Sequence, residues 1–313
     1  MIRRNCVSIN TKSIIKLEKI LISLGIFFLL TSTGQVNAQS LDSIKTKNVI
    51  FKSEGVSLAG TIYNPKHSHA AVIIVHGSGQ EPRMTEFAEL LAKDGISVLT
   101  YDKRGVGESG GIYAGPEVGT NNIDSFNLNL LANDASAAVN KLHQQNKNIP
   151  IGLVGFSQAG WIIPIAANKN SLVEFMVLFS CPTVTTLEQL RFQFYTDGRT
   201  DFWENHTEAD ARDHIKNDSD RYQFTSTDPK VDLNTLSIPG LWLFGEKDIQ
   251  IPVKLCIENL NILKTQGKPY EYALFPALGH NTGYSASNEP FNLSVQWIKR
   301  EAKEFNKKIN VEE

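Results

Sequence analysis

Several broad classes are excluded by what this chain has little of. It carries only three cysteines in 313 residues, too few for the disulfide framework that holds small secreted domains together. Its formal net charge is −2 with no basic block, so no nucleic-acid partner is expected. No internal repeat recurs and no low-complexity tract interrupts it, which argues against a solenoid or a disordered tail. The most apolar stretch, "ILISLGIFFLL" (Ile20–Leu30), falls short of the roughly 20 residues that cross a bilayer. What remains, 41% hydrophobic and 20% charged residues, is the balance of a globular protein with one large core.

The apolar stretch has another use. Early positive charge in "MIRR" and small residues at Val36 and Ala38 make residues 1–38 a signal peptide, with cleavage expected after Ala38. The product is then exported, periplasmic or extracellular, and its formal charge falls from −2 to −6 because five basic residues and one acidic residue leave. The competing reading is an uncleaved N-terminal anchor, kept open by the long charged region ahead of the apolar run. No cysteine closely follows that run, so lipid attachment there is not expected. Cys6 leaves with the leader, and Cys181 and Cys256 are expected as buried free thiols, although an oxidising compartment would permit a bridge.

Beyond the leader, "NVIFKS" and "VSLAGTIYN" flank Glu54-Gly55 and predict a hairpin. The pattern then alternates: "AAVIIVH" strand, "FAELLAKDG" helix, "ISVLTYD" strand, a long helix, "IGLVGF" strand, a short helix, "FMVLFS" strand. Such continuously apolar strands are buried on both faces, as in a parallel sheet covered by helices. The long helix shows its stripe at Leu128, Leu131, Ala135, Ala138 and Leu142. Between "FMVLFSCP" and "LWLFGE" the rhythm breaks for Thr183–Pro239, far longer than the roughly 2–6 residues usual for such connections. This segment is predicted to be a helical cap inserted into a core formed by residues 39–182 and 240–313. Its aromatics either wall a substrate pocket or form the cap's own small core.

One short stretch concentrates the chemistry. "IGLVGFSQAG" runs a strand into Gly155-Phe156-Ser157-Gln158-Ala159-Gly160 and then a helix, the strand–turn–helix setting of a nucleophile elbow. Small flanking residues let the chain turn sharply and leave the Ser157 hydroxyl exposed beside a helix N-terminus. A serine hydroxyl needs a general base, and the base needs an acid to orient it. Of the downstream histidines, His206 and His214 lie in the polar insertion, whereas His280 sits in "LFPALGHNTG" just past the last strand; His280 is the expected base. Asp248 in "LFGEKDIQIPV" is the expected acid, ahead of Glu246, with a turn or helix-capping role as its structural alternative. "VIIVHGSGQ" ends another strand in a flexible turn, so the backbone N–H of Ser78, with Gly79 its rival, and that of Gln158 are the expected oxyanion donors. His76 is expected to anchor that turn. "YDKRGVGESGG" lacks the Lys followed by Ser or Thr of a phosphate loop and has the wrong spacing for a dinucleotide fingerprint. Asp102 and Arg104 are therefore expected to brace this loop, as a mutual ion pair or as turn contacts.

Taken in order, "HGSG", "YDKRGVGES", "GFSQAG", "GEKD" and "GH" resemble the α/β-hydrolase superfamily, especially its bacterial esterases and serine-aminopeptidase-like members with a small cap. Ala159 departs from the glycine usual at that elbow position. The resemblance implies the α/β-hydrolase fold: a mostly parallel sheet with an antiparallel N-terminal hairpin and helices on both faces. It also implies a serine hydrolase acting on a small-molecule ester through an acyl-enzyme, with Ser157, Asp248 and His280 catalytic and with no metal or organic cofactor. Three alternatives stand beside it: a peptidase of short peptides whose cap carboxylates Glu188, Glu204 and Glu208 would grip an amino terminus, a thioesterase or acyltransferase, and a binding module without catalysis. Oligomeric state is not legible.

Overall fold

The computed structural model describes residues 44–115, 117–119, 124–218 and 224–312. The expected signal peptide and its cleavage site lie outside them. β1 (Lys45–Ser53) and β2 (Val56–Asn64) pair antiparallel across the Glu54-Gly55 turn. Both turn residues have positive φ, 46° and 75°, the twist that a two-residue hairpin loop needs to match its strands.

The alternating part follows as β3 (Ala70–Val75), α1 (Thr85–Lys93), β4 (Ile96–Tyr101), α2 (Asp124–His143), β5 (Ile151–Phe156), α3 (Ala159–Lys169) and β6 (Val173–Phe179). Four helices occupy the long interruption among its described residues: α4 (Thr186–Thr196), α5 (Phe202–Asn205), α6 (Glu208–Asn217) and α7 (Pro229–Leu233). The chain then resumes with β7 (Gly240–Gly245), α8 (Val253–Thr265), β8 (Tyr270–Phe275), a single 3₁₀ turn and α9 (Glu289–Glu312). These strands form one eight-stranded sheet in the order β1-β2-β4-β3-β5-β6-β7-β8. β2 meets β4 antiparallel, and every pairing from β4 to β8 is parallel. The architecture is that of an α/β-hydrolase.

Side-chain alternation explains the two-faced core. In β3, Ala71, Ile73 and Val75 join a cluster with Leu128, Ala135, Ala138 and Leu142 of α2, Ile163 of α3 and Leu260 of α8. The intervening Ala70, Val72 and Ile74 join Phe87 and Leu91 of α1 and Val295 and Ile298 of α9 on the opposite face. β3, β4, β5 and β7 are buried at every position. Of the predicted α2 stripe, only Leu131 is half-buried rather than buried.

Two sequence expectations are resolved by packing. Asp102 and Arg104 do not pair with each other. Arg104 reaches α2, where its Nε donates to Asp134 Oδ2 at 3.0 Å and its second nitrogen to Oδ1. Asp102 accepts instead from Arg83 and from the backbone N–H of Glu108. The physical reason is that Asp134 is wholly buried and an isolated buried carboxylate is costly, so the cation within reach is committed to it. Both residues do brace loops, through distant partners. The insertion's aromatics largely form its own core: Phe192 and Phe202 are buried with Ala211 and Ile215, and Tyr195, Trp203 and Ile249 pack around them. Among the described residues no helix is long and apolar enough to cross a membrane.

Candidate active site

β5 delivers Ser157 into a left-handed backbone, φ 48°, a conformation costing an ordinary residue about 1–2 kcal/mol. The surroundings hold it there. Its N–H donates to Phe179 O at the end of β6 (3.0 Å), and Gly160 N–H returns to Ser157 O (3.0 Å). A Cβ on Gly155 would stand 2.4 Å from Ala159 Cβ, and one on Gly160 would stand 2.6 Å from Pro182 O. Neither position admits a side chain without displacing α3 or the chain after β6. Ala159, the departure from glycine, is itself fully buried as the first residue of α3.

Two further strand ends supply the partners of Ser157. His280 Nε2 lies 2.8 Å from Ser157 Oγ, and His280 Nδ1 lies 2.8 Å from Asp248 Oδ2. The other oxygen of Asp248 accepts from the N–H groups of Gln250 (2.7 Å) and Ile251 (3.1 Å). The turn-capping role and the histidine-orienting contact therefore coexist, one on each oxygen. Asp248 is fully buried while Glu246 is exposed, which separates the two carboxylates the sequence left in competition. Gly245 permits the meeting of the two loops: a Cβ there would stand 2.2 Å from Gly279 O and 2.5 Å from Leu278 O. Lys247 N–H then ties the Asp248 loop to Leu278 O at 2.9 Å. Trp203 of the insertion donates its Nε1–H to Asp248 O at 2.9 Å.

The turn after β3 passes beside the elbow, where a Cβ on Gly77 would lie 3.8 Å from Ser157 Cβ. The backbone N–H groups of Ser78 and Gln158 have no acceptor among the described residues, and both residues line the cavity above Ser157. Gly79 does not line it, and its carbonyl is engaged by Glu81 N–H and by Lys103. His76 is buried edge-on against Tyr101, their ring centroids 5.0 Å apart. Burial first, and the nearby Lys103 charge second, hold its pKa down to about 3, so the ring is neutral and serves packing rather than proton transfer.

The cavity measures about 410 Å³ and is walled by Trp161, Pro182, Leu190, Phe194, Ile251 and the amides of Gln158, Gln189, Gln193 and Gln250. Among the described residues, Phe194 is the aromatic of the insertion that lines this cavity. Glu117 also contributes to the wall, and it is paired with Lys103 at 2.6 Å. Sequence reasoning passed over Lys103 and Glu117. The available signal was a lysine set directly after an all-buried strand, between two residues already assigned to loop bracing. Cys181 and Cys256 are free and buried, and burial pushes both thiols up, Cys256 to about 12. Among the described residues, no three His, Cys, Asp or Glu side chains gather into a metal-binding group.

Comparison with known proteins agrees with this fold. No curated protein matches the chain. Among solved structures, an esterase from Pyrococcus furiosus, Pf2001, superposes with a TM-score of 0.58 at 21% identity, over 82% of this chain and 90% of its own. Pyrococcus horikoshii acylaminoacyl peptidase superposes with a TM-score of 0.58 at 15% identity, over 84% of this chain but only 41% of that larger protein. A predicted CIB-like hydrolase from Thermoplasma acidophilum gives 0.52 at 14% identity, over 82% of this chain and all of its own. At these identities the likeness is one of fold. The sequence profile of the serine aminopeptidases, S33, matches residues 66–238, more than half of the chain, and the protein therefore belongs to that family of α/β-hydrolase serine hydrolases.

Proposed function

We propose that the protein is an exported serine hydrolase that cleaves a carboxylic ester through an acyl-enzyme. The observation that carries this reading is the unbroken hydrogen-bonded file from Ser157 Oγ through His280 to Asp248, both links 2.8 Å long. Ser157 Oγ attacks the ester carbonyl carbon while its proton passes to His280 Nε2, and Asp248 holds the resulting imidazolium. The N–H groups of Ser78 and Gln158 receive the oxyanion. As the tetrahedral adduct collapses, the C–O bond to the alcohol breaks and His280 returns the proton to that oxygen. Water then repeats the sequence on the acyl-enzyme and restores Ser157.

The ester reading is favoured over a peptidase that grips a free amino terminus because none of the insertion's candidate carboxylates reaches the cavity. Glu188 caps its own helix through Thr185, Glu208 pairs with Arg212, and Glu204 is exposed. The carboxylate that does line the cavity, Glu117, is already neutralised by Lys103. In this reading the segment 183–239 is the cap, and residues 1–38 export the chain.

The test is fluorophosphonate labelling of protein recovered outside the cytoplasm, beside Ser157→Ala. The wild type, beginning at Gln39, should label and turn over aryl esters. Ser157→Ala should not label and should lose turnover at least about a thousandfold. An unlabelled, folded wild type would remove the catalytic reading. Faster cleavage of free aminoacyl amides than of esters would make the protein a peptidase.

A further inference from the structure

Lys103 stands immediately past β4 and is almost wholly buried, 2% exposed. An ammonium has three protons to give, and here all three are placed. They go to Gly77 O at 2.7 Å, to Gly79 O at 2.9 Å and to Glu117 Oε1 at 2.6 Å. Two of these acceptors flank Ser78 in the turn that runs past the elbow.

The consequence follows from the planar peptide. In a trans unit the C=O of Gly77 and the N–H of Ser78 point in opposite directions. Fixing Gly77 O on Lys103 therefore fixes the direction of the Ser78 N–H on the other side of the same plane, and Ser78 is the residue of this turn that lines the cavity. A positive charge on the carbonyl also polarises that peptide and strengthens its N–H as a donor. Within the turn itself the backbone tie is Glu81 N–H to Gly79 O at 3.0 Å. Gly77 and Gly79 have no side chains to pack, and Gly79 sits at φ 96°, a region open mainly to glycine. The clamp is anchored in turn: Glu117 accepts from Tyr113 OH at 3.2 Å, its carbonyl accepts from Asn127 of α2 at 3.3 Å, and Lys103 N–H donates to Glu81 O at 3.1 Å.

We propose that Lys103, held by Glu117, is a positioning residue for the oxyanion site: it orients the Gly77–Ser78 peptide so that its N–H meets the charge developing in the transition state. This rests on the serine-hydrolase reading. A role in the transition state alone lowers kcat without changing KM, whereas a purely structural ion pair lowers the melting temperature and leaves the folded enzyme's kcat intact.

The experiment compares wild type, Lys103→Met and Glu117→Gln on a p-nitrophenyl ester, with kcat counted per folded molecule. It adds the inhibition constant of a trifluoromethyl ketone, whose serine adduct carries an oxyanion. Lys103→Met should lose about 10²-fold in kcat, the scale of one oxyanion donor. KM should stay within threefold, and ketone affinity should fall in step with kcat. Glu117→Gln keeps the two contacts to the turn and an acceptor for the third but removes the charge that holds the ammonium in place, and should lose roughly three- to tenfold in both readouts on the same grounds. Should Lys103→Met not fold, Glu117→Gln decides alone. Unchanged kcat and ketone affinity in the folded variants would overturn the clamp. A wild type inactive on every ester would instead remove the hydrolase reading beneath it.

Discussion

Single residues near the site are placed by what they exclude. Gly155 and Gly160 matter because Ala159 and Pro182 already occupy the space a side chain would need, while Ser157 is held at positive φ by contacts to the next strand. His76 illustrates the same economy with a titratable group. Its folded pKa of about 3 lies below the ordinary 6.5, so the unfolded chain binds its proton more readily. The stability owed to the neutral buried ring is complete above about pH 6.5 and is lost as pH falls toward about 3, at up to ~1.4 kcal/mol per pH unit. Urea midpoints of the wild type should therefore decline from pH 6.5 to pH 4, and His76→Asn should flatten that decline. Equal slopes in the two proteins would show that the imidazole titrates as freely folded as unfolded.

Between elements, ion pairs differ in weight according to burial. The Arg104–Asp134 pair joins the end of β4 to the middle of α2, with side-chain exposures of 8% and 0%. Burial pushes the Asp134 carboxyl up against the hydrogen bonds and charge of Arg104, so each partner depends on the other. Arg104→Met should destabilise by about 3–5 kcal/mol, because it leaves a buried charge uncompensated. Arg300, paired with Glu271 at 50% and 44% exposure, should lose less than about 1 kcal/mol on the same change. Equal losses in denaturant titrations would mean that water reaches Asp134.

This pair also marks where sequence reading stops. Strands and helices were legible because their periodicities are local: the hairpin turn, the all-buried β5 and the stripe on α2 all follow from neighbours in the chain. Ser157, Asp248 and His280 were legible because each follows a recognisable strand in a fixed order, and the structure brings all three together. Side-chain partnerships were not. Arg104 meets Asp134 thirty positions away, and Asp102 meets Arg83 nineteen away, distances set by how β4 lies between β2 and β3. Lys103 was hidden for the same reason, since two of its three acceptors belong to the turn after β3 and the third is Glu117.

At the scale of the whole molecule, the helical insertion is expected to unfold as part of the same cooperative unit as the sheet. Among the described residues its own buried cluster holds Phe192, Phe202, Ala211 and Ile215, too little apolar surface to offset the entropy of ordering four helices. Its order comes from the core beneath. Trp203 and Thr196 bond to the carbonyls of Asp248 and Ile249, Gln189 to that of Gln250, Thr183 to that of Cys256, and Arg212 pairs with Glu258 on α8. Several of these contacts fall on the loop that carries Asp248, so the insertion and the acid's position are mechanically linked. Amide hydrogen exchange of the wild type in rising urea should therefore show α4 and α6 opening together with β5 in one transition. Opening of α4 and α6 at lower urea, with β5 still protected, would identify the insertion as a separately mobile lid. The same measurement on Trp203→Phe, which removes one bond to the Asp248 loop, should lower the common midpoint without splitting the transition.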